Sequence, residues 1–233
     1  DGRAPAAAGR PVGGKVLAGL REVATSPYLA MIALLIVLQS VVGTFVYFEQ
    51  ARLVKAAALS AEARTQLFAL IDLAVNLLAL GLQALVAGRL MQRLGIGLTL
   101  AAVPLLLTIP LAVLAAIPVL AAVLVVQVIS RAGGHGLLRP AREALFTAVE
   151  REARYKAKNV IDTVLSRAGD ALGGWLHAAA GLGTAGVALA AIPGALALAW
   201  LGRQLGQRYR RQVAAVSTAT TAVNPPEETP ASG

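Results

Sequence analysis

Long apolar runs separated by charged clusters recur along the chain. Mostly apolar stretches occupy 28–48, 67–87, 96–116, 119–138, 160–180 and 183–203. An α-helix rises about 1.5 Å per residue, so about 20 such residues cross a hydrocarbon core about 30 Å thick. The pattern predicts six transmembrane helices. The third and fourth runs are nearly continuous, but together they are too long for one crossing, and Pro118 between them disfavours an unbroken helix. A tight hairpin is expected there, and Gly181 to Thr184 is expected to make the equivalent turn between the fifth and sixth runs.

The polar residues inside the runs are regularly spaced. A charge near the bilayer centre costs about 2.5 to 3.5 kcal/mol on insertion scales, so polar positions mark the helix faces that avoid lipid. In the first run Gln39, Gly43 and Tyr47 form one helical stripe, and in the second Asp72, Asn76, Ala79 and Gln83 form another. The third run has only threonines. The fourth carries Gln127, Arg131 and His135, the fifth Asp162, Ser166, Asp170, Gly173 and His177, and the sixth has no ionisable or amide side chain before Arg203. Striped, striped, bare is thus followed by striped, striped, bare, with the second set entering the membrane from the opposite side. A 3+3 inverted repeat predicts this order. The bare helices are expected to face lipid and the striped ones to surround a polar cavity or bind one another. Arg167 stands three residues before Asp170, within reach of an ion pair on the same helix, and Gly169 and Gly173 form a small-xxx-small pair that permits close helix approach.

Composition supports lipid as the solvent. Hydrophobic residues make up 57% of the 233 and charged residues 14%, where soluble domains hold about a quarter charged, and mean hydropathy is +0.70. The formal charge of +9 does not point to nucleic acid, because aromatics are only 4% and the cations lie between apolar runs. Membrane topology explains it instead. Arg3, Arg10, Lys15 and Arg21 precede the first run, Arg89 and Arg93 join the second to the third, and Arg203, Arg208, Arg210 and Arg211 follow the last. The longest connection, 139–159, adds Arg139, Arg142, Arg151, Arg154, Lys156 and Lys158, whereas the opposite side carries only Arg52, Lys55 and Arg64. The positive-inside rule then places both termini in the cytoplasm, in a multi-pass cell (inner) membrane protein. Residues 1–25 read as a cytoplasmic linker, 26–212 as the transmembrane domain with a cytoplasmic loop at 139–159, and 213–233 as a disordered tail.

Little enzyme chemistry is available. The chain has no cysteine, and His135 and His177 are its only histidines, so neither a thiolate nucleophile nor a histidine-rich metal site is expected. Gly181, Gly183 and Gly186 match G-x-G-x-x-G, but no strand precedes them and no acidic residue follows at the required distance, so they read as a hairpin turn. No catalytic residue, cofactor or metal is expected, and no enzyme activity.

The most distinctive local stretch is 139–170, RPAREALFTAVEREARYKAKNVIDTVLSRAGD, in which Pro140 is suited to open an interfacial helix and a basic run leads into the fifth apolar run. Its RPAREALF and YKAKNxIDT blocks resemble the loop and eleventh helix of bacterial ATP/ADP translocase-type (NTP/NDP exchange) carriers, which are related to the major facilitator superfamily. The resemblance extends loosely over 26–212. It implies an all-α fold that is half of a twelve-helix carrier, with the third and sixth helices of the half peripheral. Residues 88–95, GRLMQRLG, resemble the superfamily's basic loop between the second and third helices, with Met91 or Gln92 where an acidic residue is usual. Lys156, Lys158, Ile161 and Asp162 match the family's basic pair and following Ile-Asp, whereas Asp170 stands where the nucleotide exchangers have lysine. An aspartate there would repel a phosphate.

The functional expectation is a secondary active transporter working by alternating access, an antiporter for an anionic solute such as a nucleotide. The candidate substrate or coupling-ion residues are Asp72, Asn76, Gln127, Arg131, Asp162, Arg167 and Asp170, and the cytoplasmic basic loop contributes Arg139, Arg142, Lys156 and Lys158. Expected partners are the lipid bilayer, the solute, and either a missing N-terminal six-helix half or a second copy, with no nucleic acid. The alternatives are a non-transporting scaffold or assembly protein and a lipid flippase.

Overall fold

A computed structural model describes the backbone of residues 16–223 and the side chains of 17–214. All regular structure among them is helical: α1 (Val16–Thr25), α2 (Pro27–Ala56), α3 (Ala61–Gly81), α4 (Gly88–Ala116), α5 (Leu120–Gly133), α6 (Arg139–Leu145), α7 (Arg151–Val160), α8 (Ser166–Ala180) and α9 (Thr184–Val223). π-helical segments Leu82–Ala87, Gly134–Leu138 and Ile161–Leu165 join α3 to α4, α5 to α6 and α7 to α8 without interrupting the rods. Local chemistry sets the boundaries. The Leu29 and Ala63 amides donate to the Ser26 and Ser60 hydroxyls, capping α2 and α3, and Pro27 occupies the first turn where its missing N–H costs nothing. Pro118 lies in the break between α4 and α5, and Gly181 closes α8 in the left-handed region at φ 56°. Both expected hairpins are present.

Three stretches expected outside the transmembrane helices are in part helical. Within 1–25, Val16–Thr25 forms α1, which buries Val23 and packs so closely on α7 that a Cβ on Gly19 would lie 2.5 Å from the Lys156 carbonyl; residues 1–15 lie outside the described ones. The expected loop 139–159 breaks only near Val149 and Glu150, because the helix that starts at Leu120 continues through Ala148. Of the expected tail 213–233, α9 continues to Val223, and 224–233 lie outside the described residues.

Side-chain contacts give the direction of each rod. Asp72 meets Arg131, and Ala79 packs on Gly136, so 61–94 runs parallel to α5. Val103 packs on Gly133 across the hairpin at Pro118, so 96–116 runs antiparallel to α5. The chain therefore reverses at Gly95, the one residue inside α4 with non-helical dihedrals (φ 78°, ψ 167°), which a side chain would strain. Tyr28 donates to the Leu145 carbonyl and Gln39 lies beside Gly134, so α2 and α5 are antiparallel; Val37 and Val41 lie against Gly169 and Gly173, so α2 and α8 are parallel. In contact order α3, α5, α2 and α8 form a front layer, and α4 and α9 pack together behind it against α5 and α2.

Among the described residues four helices are long and apolar enough to cross a membrane: Pro27–Ala56, Ala61–Ala116, Leu120–Ala148 and Thr184–Ala214. Several long apolar helices of this kind fit a membrane-embedded protein. The 56-residue Ala61–Ala116 is about 84 Å of helix, far beyond one crossing, and the reversal at Gly95 divides it. The rod from Arg151 to Ala180 falls outside the four because Asp162, Arg167 and Asp170 interrupt its apolar half.

The bare helices form the most extensive contact in the fold. α4 buries Leu100, Val103, Leu107, Leu111 and Leu114, and α9 buries Val187, Ala191, Ala195, Leu198 and Leu205, while Leu105, Ile109, Leu189, Leu196 and Trp200 remain exposed on their outer faces. Gly97 and Gly206 let the two backbones touch: a Cβ on Gly206 would lie 2.2 Å from the Gly97 Cα, a clash that backbone cannot relieve by a rotamer change. Gly206→Ala should therefore cost about 1–3 kcal/mol, whereas Gly88→Ala, in a helix with open space around its Cβ, should be neutral or mildly stabilising. Thermal unfolding of the two variants in one detergent checks this.

Candidate functional site

The front layer joins four of the candidate polar residues in two separate pairs. Arg131 of α5 donates from Nη1 to Oδ1 of Asp72 on α3 at 2.7 Å. The pair is open, with the two side chains 39% and 56% exposed. Its depth follows from its neighbours: Arg131 lies one turn before Gly134, which faces Gln39 near the middle of α2. Asp170 of α8 sits beside Gly169, which packs on Val37 and Ser40 at the same level, and Arg167 Nη1 lies 3.5 Å from Asp170 Oδ2. Two ion pairs thus stand at mid-length on the front of the bundle. Asn76, one turn beyond Asp72, is exposed, and Gln127, one turn before Arg131, is buried.

Asp162 does not join them. Although it shares the stripe of the fifth apolar run in sequence, its Oδ1 lies 3.5 Å from Arg142 Nη2, tying the start of that run, whose helix is the fifth rod, to α6. Alignment is poor, and both Asp162 Oδ1 and Arg142 Nε are buried without a hydrogen bond. Close by, Lys158 donates to Glu143 at 2.6 Å and Lys156 to Glu152 at 2.6 Å, while Arg139 is exposed. The bond to the Glu152 carboxylate holds the Lys156 ammonium above the usual lysine range, so it stays charged at neutral pH. The basic segment is therefore a lattice of ion pairs linking α6, α7 and the fifth rod, at the same end of the bundle as the Gly95 reversal.

A second polar cluster, at the opposite end, escapes the sequence reading. Glu49 of α2 is 1% exposed. His177 Nε2 lies 3.1 Å from its Oε1, and Arg52 Nη2 lies 2.9 Å from its Oε2 without hydrogen-bond alignment; Arg52 also donates to the Thr184 hydroxyl at the start of α9. Phe48 stacks on the His177 ring with centroids 5.0 Å apart, and Phe45 meets it edge-on at 6.0 Å. The run 28–48 stops one residue short of Glu49. A signal was present: Ile32, Leu35, Val42 and Val46 make a buried stripe whose next helical position is Glu49, a carboxylate where the apolar face should continue.

No protein-family model, curated protein or solved structure matches the chain.

The two clusters differ in what they can do. Glu49 is itself buried and faces an exposed guanidinium and a half-buried imidazole, so removing it opens a gap at the helix contact and leaves both without their carboxylate. The Asp72–Arg131 pair is accessible and weakly held, and an incoming anion can compete with Asp72 for the guanidinium. Glu49→Ala should accordingly lower stability by about 1–3 kcal/mol, while Asp72→Asn should change it by less than about 1 kcal/mol. Thermal melts of both variants, with His177→Gln between them, measure the contrast; equal losses would place both clusters in the structural frame.

Proposed function

We propose that this chain is one six-helix half of a secondary transporter of the major-facilitator type, working by alternating access as an antiporter for an anionic solute such as a nucleotide. The observation that carries the reading is the pair of open, mid-length ion pairs on the front layer. Lipid would penalise charges at that depth, so the face needs either water or a protein cover. The edge helices point the same way. Only Ile71 and Val75 of α3, and Gly169 and Gly173 of α8, are buried, which leaves both edges for a second six-helix body to cover. A cavity enclosed between two such bodies would expose Arg131 and Arg167 to an anion, with Asp72 and Asp170 as the groups it displaces or as carriers of a coupling proton.

The arrangement also supports a 3+3 inverted repeat of six crossings. Exchanging α2 with α5, α3 with α8 and 96–116 with α9 maps the layer order onto itself reversed, with α4 and α9 still behind, and the rods of each exchanged pair run in opposite directions. This is the relation expected of an inverted-topology carrier. The basic residues separate by end. Arg89, Arg93, Arg142, Lys156 and Arg210 lie at the end with the Gly95 reversal and Arg52, Lys55 and Arg64 at the other, so we assign the first end to the cytoplasm of a cell (inner) membrane. The resemblance of 139–170 to ATP/ADP translocase-type carriers favours nucleotides, and Asp170 favours an anion of lower charge.

The test is flux in proteoliposomes with the full-length protein, using labelled ATP and ADP alongside smaller organic anions. Saturable exchange is expected, with Arg131→Gln reducing it about tenfold or more through loss of one charge-assisted contact. Folded protein with no saturable flux of any of these anions would overturn the reading. The absence of native cysteine in this chain permits a companion measurement: Asn76→Cys should react with a water-soluble thiol reagent, and Ile109→Cys on the rear face should not.

A further inference from the structure

On the rear of the bundle, at its arginine-rich end, a cavity of about 300 Å3 lies beside the contact of α4 with α9. Its origin is covalent. At Gly95 the chain turns back, and the touching pair Gly97 and Gly206 supplies no side chain to fill the space beside the turn. Arg203 and Arg210, two helical turns apart on one face of α9, both line it. Arg210 Nη1 lies 3.9 Å from where a Cβ on Gly95 would stand, directly over the reversal. Among the described residues no carboxylate pairs with either arginine. The helix that restarts after Gly95 directs the positive end of its dipole to the same place. A cavity lined this way favours an anion.

Its surroundings select the kind of anion. Leu94 and Leu98 at its edge are exposed, and the apolar surface continues toward mid-bundle as Leu105 and Ile109 on α4 and Leu196 and Trp200 on α9. We propose that this is a site for an anionic phospholipid, with the headgroup phosphate between Arg203 and Arg210 and the acyl chains along the outer faces of α4 and α9. A free phosphate would use the arginines but not the apolar track. The site lies behind the front layer and needs only a membrane-embedded chain, so it stands or falls independently of transport.

The experiment uses the full-length protein in a neutral detergent, with phosphatidylglycerol, phosphatidylcholine or inorganic phosphate added, and reads bound lipid by native mass spectrometry and stability by thermal melting. Phosphatidylglycerol should bind in preference to phosphatidylcholine and raise the melting temperature, and Arg203→Gln with Arg210→Gln should remove about fivefold in affinity per arginine. Arg151→Gln with Arg154→Gln, equally basic but away from the cavity, should keep the preference. Should the double variant fail to fold, Arg210→Gln alone carries the test, with about a fivefold loss expected. Unchanged preference in a folded arginine variant would overturn the site, and so would phosphate that displaces the lipid and stabilises equally well.

Discussion

The backbone contact between Gly97 and Gly206 sets how close α4 and α9 approach, and the remaining helices are arranged in front of that pair. In lipid, apolar side chains gain little by turning inward, so helix association relies on close van der Waals fit, which small residues allow. The same device joins α8 to α2, where Gly169 and Gly173 meet the backbone of Val37 and Val41. A rear pair locked by backbone contact stands behind a front layer built on α2 and α5, with α3 and α8 at its edges. Most of α3 and α8 faces outward.

Charge is handled in two ways. At one end Glu49 is buried, with one carboxylate oxygen facing Arg52 and the other His177, whose imidazole packs against Phe45 and Phe48. At mid-length Asp72 with Arg131, and Arg167 with Asp170, remain open. A buried cluster of this kind ties α2, α8 and α9 together, whereas open pairs add little to stability and are free to change partners. Function is sought at the second for that reason, although the first is the more tightly built.

Much of the local organisation was legible in the residue order. The breaks at Pro118 and Gly181 follow from backbone chemistry, and the stripe Gln127, Arg131 and His135 shares one helical face by spacing alone. Less legible were the unbroken run of helix from Leu120 through Pro140 to Ala148, where a separate interfacial helix was expected, and the helix Val16–Thr25, which packs closely on α7 at Gly19 and Lys156. The stripe on the fifth run was read as one unit, yet Asp162 turns to Arg142 while Asp170 pairs with Arg167. Periodicity names a face of a helix but not the neighbour opposite it.

Sequence alone determined the all-helical class, the apolar runs, the polar faces and the asymmetry of basic residues, because hydropathy, helical period and the backbone limits of proline and glycine act over a few residues at a time. Tertiary structure decided the reversal at Gly95, the pairing of α4 with α9, the partnership of Asp72 with Arg131 and the burial of Glu49. Each joins residues far apart in the chain, and whether a charge is open or matched depends on which helix stands beside it.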